Sequence, residues 1–123
     1  MIRFLKSTGY AFAGLKTCFA NEKNFRIQVV IGILIVIAGF VFQIESNEWL
    51  VVLVCAALVL TLEMMNTAIE KLSDLYTTSI HPGIKIIKDV AAGAVLLASL
   101  VSAICGCIIF IPRIILIIKH FYK

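Results

Sequence analysis

Three apolar runs divide the chain. Ile27–Ile44, Trp49–Ile69 and Val90–Ile111 are rich in Val, Ile, Leu, Ala and Phe, and polar segments separate them. Ile27–Ile44 is 18 residues without a charge. At 1.5 Å per residue this is about 27 Å of helix, close to the roughly 30 Å of a bilayer core. Val90–Ile111 is also uncharged, and Trp49–Ile69 carries only Glu63. The pattern predicts three transmembrane helices. Ahead of them, Ile2, Leu5, Phe12, Leu15 and Phe19 recur at intervals of three, four or seven, with Arg3, Lys6 and Lys16 between. That spacing predicts an amphipathic helix lying on the membrane surface. A secretory signal would place its apolar stretch directly after the first charges, whereas the first long run here begins at Ile27. The expectation is an all-α membrane protein with one domain over residues 1–123. It has a surface helix over about 2–20 and spans over about 27–44, 49–69 and 90–111.

The polar breaks orient these spans. Asn21–Asn24 precedes the first, and Gln43–Glu48 forms a short turn after it. In the third break, over 70–89, His81-Pro82-Gly83 interrupts any helix, Pro82 suits a new helical start, and Ile84–Lys88 reads as a short interfacial turn. Residues 1–26 hold five Lys or Arg, 43–48 none and 70–89 three. The excess of positive charge on the cytoplasmic side then puts the N-terminus and the 70–89 loop in the cytoplasm. Arg113, Lys119 and Lys123 in the tail argue weakly the other way. Ile114–Ile118 either extends the third span or lies along the outer interface.

Composition agrees. The chain is 62% hydrophobic, where soluble domains are about 45–50% apolar. Its net charge of +4 comes from basic residues at the ends of apolar runs, which suits phospholipid headgroups rather than nucleic acid. Cys55, Cys105 and Cys107 lie inside apolar runs and read as small hydrophobes, with no disulfides expected.

The second run is unusual where it ends. Glu63, Asn66, Glu70 and Asp74 fall within about 80° of one another at 100° per residue. Four polar side chains on one narrow face are costly at a membrane boundary, and an ionisable residue inside a span points to function. Glu63 and Glu70 are separated by about 10 Å along the axis, too far to share one small ion. Glu70 lies nearer water and can ligate magnesium, with Glu22 at the same boundary as the second carboxylate. Lys88 brings a positive charge suited to phosphate. Glu63 and Asn66 are left beside the lipid, Glu63 to take a proton from a lipid hydroxyl and Asn66 to orient it. This division of labour matches phosphoryl transfer. There is no Walker A pattern or glycine-rich loop, so a nucleotide site must be assembled from helix faces, which favours an oligomer. A proton-handling or accessory membrane subunit is the alternative class. It predicts acids spread over several helices, whereas the first and third spans are uncharged.

Glu63-x-x-Asn66-Thr67-Ala68-Ile69-Glu70-x-x-x-Asp74, followed by Lys88-Asp89-x-Ala91-Ala92-Gly93-Ala94-Val95-Leu96, resembles the prokaryotic diacylglycerol kinase family, which also contains undecaprenol kinases. Asn21-Glu22-x-x-Phe25-Arg26 and Gly9-Tyr10 with Gly14-Leu15-Lys16 resemble its earlier segments. The resemblance runs from about residue 3 to 112. It implies a homotrimer in the bacterial cytoplasmic membrane, with active sites shared between subunits, that phosphorylates a lipid alcohol using ATP and Mg2+. It implies Glu63 as the base and Glu22 and Glu70 as magnesium ligands. Arg3, Tyr10, Lys88 and Asp89 would help hold ATP, with Ser79-Ile80-His81 near the nucleotide. His81-Pro82, the Ala92-Gly93-Ala94 run and Ile109–Arg113 look like the undecaprenol kinase branch, and Tyr10 like the diacylglycerol branch. The balance leans to undecaprenol.

Overall fold

The computed structural model describes residues 2–76 and 81–122, apart from the side chains of Ile2, Arg3, Leu5 and Phe121. These residues form four helices: α1 Ile2–Asn21, α2 Lys23–Val41, α3 Ser46–Tyr76 and α4 Pro82–Phe121. Among them, α2, α3 and α4 are long and apolar enough to cross a membrane. They correspond to the three apolar runs, and α1 to the helix expected before them. The helices do not stop where the apolar runs stop. At 31 residues α3 is about 46 Å long, and at 40 residues α4 is about 60 Å, against about 40–45 Å for a bilayer with its headgroups.

The connections are closed by local hydrogen bonds. Glu22 is extended between α1 and α2, with φ −104° and ψ 113°. Arg26, in the first turn of α2, reaches back and donates to the carbonyls of Phe19 at 3.2 Å and Ala20 at 2.7 Å. Those carbonyls lack partners within α1, so a cation there completes its C-terminus. The turn into α3 is a Schellman motif. Gln43 takes φ 50°, its N–H reaches Phe40 at 3.3 Å, and the Ile44 N–H reaches Gly39 at 3.1 Å. The motif folds Ile44 inward, where it is buried with Val52, Ile109 and Phe110. Phe42 and Trp49 pack on this cluster, and Phe42 meets Phe110 at 5.9 Å between ring centroids. Gly39 is needed there, because a Cβ on it would lie 2.7 Å from Cη2 of Trp49.

One expectation for α4 needs revision, and one open alternative is resolved. Ile84–Lys88 is not a separate interfacial turn but the start of α4. Pro82 opens the helix at a position that needs no N–H, and the His81 Nδ1 accepts the Gly83 N–H at 3.2 Å. Nothing between Gly83 and Val90 breaks the helix again. The alternative concerns the tail, which sequence left open. Pro112 sits inside α4, and Ile114–Ile118 continues it. Pro112 cannot donate to the carbonyl one turn back. Arg113 supports the next one, donating to Ile109 O at 2.7 Å. It also grips both carboxylate oxygens of Glu48 on α3, at 2.9 and 2.6 Å. Glu48 thus pairs with one of the three cations of the tail.

Candidate active site

The other end of the bundle is polar. The α3 face expected to be buried carries Glu63, 4% exposed, and Asn66, 8% exposed. Thr67 and Ser73 are buried on the same side of the helix. Glu70 is half-buried, and the Asp74 side chain is 66% exposed. The stripe thus runs from the interior out toward water over three turns, as a helix leaving a bundle must.

Glu63, Asn66 and Glu70 line one cleft of about 300 Å³ together with Asn24, Gln28 and Ser99. Its apolar wall is Ala92, Val95 and Leu96 of α4. Gln28 Nε2 donates to Glu63 Oε2 at 3.3 Å, and Asn66 Nδ2 donates to Glu70 Oε1 at 3.0 Å. Each amide therefore holds one carboxylate and leaves its own carbonyl oxygen over. Gln28 Oε1 and Asn66 Oδ1 are both buried without a hydrogen-bond partner among the described residues. An unsatisfied buried acceptor costs about 1–3 kcal/mol, so two in one cleft mark a place built for something else to enter.

The cleft adjoins a second, larger cavity. Gln28 and Ser99 line both. This second cavity, about 640 Å³, runs between α2, α3 and α4 along side chains such as Ile31, Ile35, Val52, Val59 and Phe110. A polar cleft with two carboxylates and a long apolar groove thus share a boundary, the neck, at Gln28 and Ser99.

Charged pairs flank the cleft on its water side. Lys71 bonds Glu22 at 3.1 Å, tying the α1–α2 junction to α3. Lys88 bonds Asp74 at 2.5 Å, tying the start of α4 to the end of α3. Cys18, buried beside Glu22, has its thiol pushed up from the usual range by burial and then by the Glu22 charge, so it is a poor nucleophile.

The sequence model of the prokaryotic diacylglycerol kinases matches residues 9–110, which include every residue lining the polar cleft. The chain belongs to this family. Over 112 residues it is 36% identical to the undecaprenol kinase of Bacillus subtilis (strain 168), with 91% of each chain covered. Over 109 residues it is 39% identical to the diacylglycerol kinase of Synechocystis sp., covering 88% of this chain and 62% of that one. The diacylglycerol kinase of Escherichia coli (strain K12) is 30% identical over 107 residues, 87% of this chain and 88% of that one. As a member of the prokaryotic diacylglycerol kinase family, the chain is a membrane-embedded lipid kinase, and its reaction is nucleotide-dependent. The proton-handling alternative is set aside.

Within this kinase, one chain brings together Glu63, Asn66 and Glu70. Glu22 and Lys88 stand nearby, each held by an opposite charge rather than in the cleft. Tyr10 and Asp89 are exposed and do not line it. Arg3 lies in the first turn of α1 with its side chain outside the described set, and Ser79 and Ile80 lie outside the described residues. His81 uses one ring nitrogen to cap α4. Sequence reasoning missed Gln28, although it is the single polar side chain in the first fourteen residues of its apolar run. It also missed the Glu48–Arg113 pair, whose partners are 65 positions apart.

The donors present suit magnesium in kind. Glu70 and Glu22 offer hard carboxylate oxygens and Asn66 a buried carbonyl without a donor. Among the described residues, no three His, Cys, Asp or Glu side chains gather closely enough to hold a metal within one chain. A magnesium ion commonly takes only one or two carboxylates and completes its shell with phosphates and water.

Proposed function

We propose that this kinase transfers the γ-phosphoryl group of ATP, with Mg2+, to the terminal hydroxyl of a membrane-dissolved lipid alcohol, undecaprenol in preference to diacylglycerol. The observation that carries this reading is the position of Glu63. It is a buried carboxylate held, among the described residues, by a single long hydrogen bond, in a polar cleft that adjoins an apolar groove. A lipid tail in the groove brings its hydroxyl to the neck. Glu63 accepts the hydroxyl proton as that oxygen attacks the γ-phosphorus. The bond from the γ-phosphorus to the oxygen bridging it to the β-phosphate breaks, and ADP leaves with the electron pair. The proton on Glu63 then passes to water, so the products are lipid phosphate, ADP and one proton. Asn66 braces Glu70.

Glu70 and Glu22 are the residues to hold magnesium, which when bound offsets the charge on the β- and γ-phosphate oxygens. Lys88, Arg3, Tyr10 and Asp89 hold the nucleotide. Lys88 must exchange Asp74 for phosphate to do so. Because several of these side chains lie away from the cleft of their own chain, we assign them to the cleft of a neighbouring copy in a homotrimer. The membrane is the bacterial cytoplasmic membrane, with the N-terminus and cleft on the cytoplasmic side, where ATP is found.

Support for the isoprenoid alcohol comes from two directions. The relative named undecaprenol kinase matches over 91% of both chains. The groove beyond the neck is walled mainly by aliphatic and aromatic side chains. An isoprenoid tail asks nothing more of it, whereas diacylglycerol carries two ester carbonyls just past its hydroxyl that would be desolvated there. The test is a side-by-side assay of purified protein in lipid nanodiscs with γ-labelled ATP and Mg2+. Undecaprenol and dioleoylglycerol are supplied at equal mole fraction. Faster labelling of undecaprenol is expected. Faster labelling of dioleoylglycerol reverses the preference, and label on neither refutes the reaction.

A further inference from the structure

The pattern around Glu63 leaves one residue unexplained. Gln28 sits in the second turn of α2, one turn beyond Asn24, and unlike Asn24 it belongs to both cavities. An amide in an apolar span is expensive unless both of its ends are used. Only one end is used: Nε2 holds Glu63 Oε2, and Oε1 is buried with no donor among the described residues. The reverse orientation of the amide would set its carbonyl against a carboxylate oxygen, so the free end is the acceptor end.

From this the geometry points to Gln28 as the residue that receives and aligns the acceptor hydroxyl. The assignment rests on the lipid kinase reading above. Gln28 Nε2 fixes one oxygen of the base, so the other is free for the proton. Gln28 Oε1 accepts the hydroxyl as the lipid arrives along the groove. A hydroxyl needs only to rotate about its C–O bond to pass from the Gln28 carbonyl to the carboxylate held by the same amide. The substrate class is thereby narrowed to lipids ending in a free O–H donor at the neck. An ether or ester at that position supplies no donor and leaves the acceptor unpaired, which a site built for hydrogen bonding rejects strongly.

The test uses the full chain in lipid nanodiscs, with undecaprenol as substrate and its O-methyl ether as competitor. Two variants separate the two ends of the amide. Gln28→Met keeps the length and removes both ends. It is expected to lower kcat/KM for the alcohol by about 10–100-fold while leaving KM for ATP within about twofold. It should also shrink the advantage of the alcohol over the ether in binding by about tenfold. Gln28→Glu keeps an acceptor but removes the donor and places like charge beside Glu63. It should lose kcat by tenfold or more, with a smaller change in KM for the alcohol.

The unchanged KM for ATP shows that each variant is folded and that the loss is on the lipid side. If Gln28→Met keeps kcat/KM and the alcohol-to-ether ratio within twofold of wild type, the role of Gln28 is overturned while the kinase reading stands. If KM for ATP rises in step with KM for the lipid, Gln28 is a packing residue only. If the wild-type chain labels no lipid alcohol at all, the kinase reading fails and the assignment of Gln28 falls with it.

Discussion

Helix α3 carries a glutamate near each end of the bundle, and the two are treated in opposite ways. Glu48 is saturated. Arg113 gives it two hydrogen bonds, and the Glu45 N–H gives a third at 2.7 Å. Around it lie a packed aromatic and aliphatic cluster and a glycine with no room for a side chain. Glu63 is more deeply buried, yet among the described residues it has one donor at 3.3 Å, and two amide oxygens near it have none. Stability alone would favour the reverse, since the deeper charge needs the fuller set of partners. The difference separates a group that holds the fold from one that leaves its capacity free for a ligand. The closed end joins α3 to α4 rigidly, and the open end is where chemistry has room.

This contrast can be broken at several points. The largest effect is expected at the open end. Glu63→Gln keeps the shape and removes the proposed base, so turnover should fall by roughly 10²-fold or more while the thermal unfolding midpoint changes little. Steady-state kinetics paired with a melting curve reads both. Next is Glu70→Ala, which should raise the magnesium needed for half-maximal activity by about tenfold and weaken ATP more than lipid. An unchanged magnesium titration would remove Glu70 from the metal site.

At the closed end the effects should fall on stability. Gly39→Ala forces a methyl against Trp49 and should cost about 1–3 kcal/mol of stability, with kcat per folded molecule unaltered. Arg113→Ala strips Glu48 of its cation and the Ile109 carbonyl of a donor. A drop of a few degrees in unfolding midpoint is expected, smaller than a fully buried pair would give because both side chains are about a quarter exposed. Should either closed-end variant abolish turnover while folded, the division between the two ends would be wrong.

How much of this could be read from residues alone follows from the range of each interaction. The three crossing helices and α1 were legible because hydrophobic periodicity is local. Glu63, Asn66 and Glu70 were legible as a unit because a single helix places them on one face. Gln28 was not, because an uncharged amide barely disturbs a hydropathy pattern and its partner is 35 positions away. The Glu48–Arg113 pair was hidden for the same reason. Lys88 read as a phosphate ligand from its charge, and only the fold reveals that Asp74 holds it within the chain. Contacts between copies have no local signature in a single chain.

The central claim is that Glu63 performs the chemistry and the far end only holds the frame. Its most direct measurement is formation of labelled undecaprenyl phosphate by wild type, Glu63→Gln and Arg113→Ala in identical nanodiscs, at a temperature where all three are folded. The account predicts wild type and Arg113→Ala within about threefold of each other and Glu63→Gln at about one hundredth or less. Turnover by Glu63→Gln near the wild-type rate, or a folded Arg113→Ala as inactive as Glu63→Gln is expected to be, would contradict it.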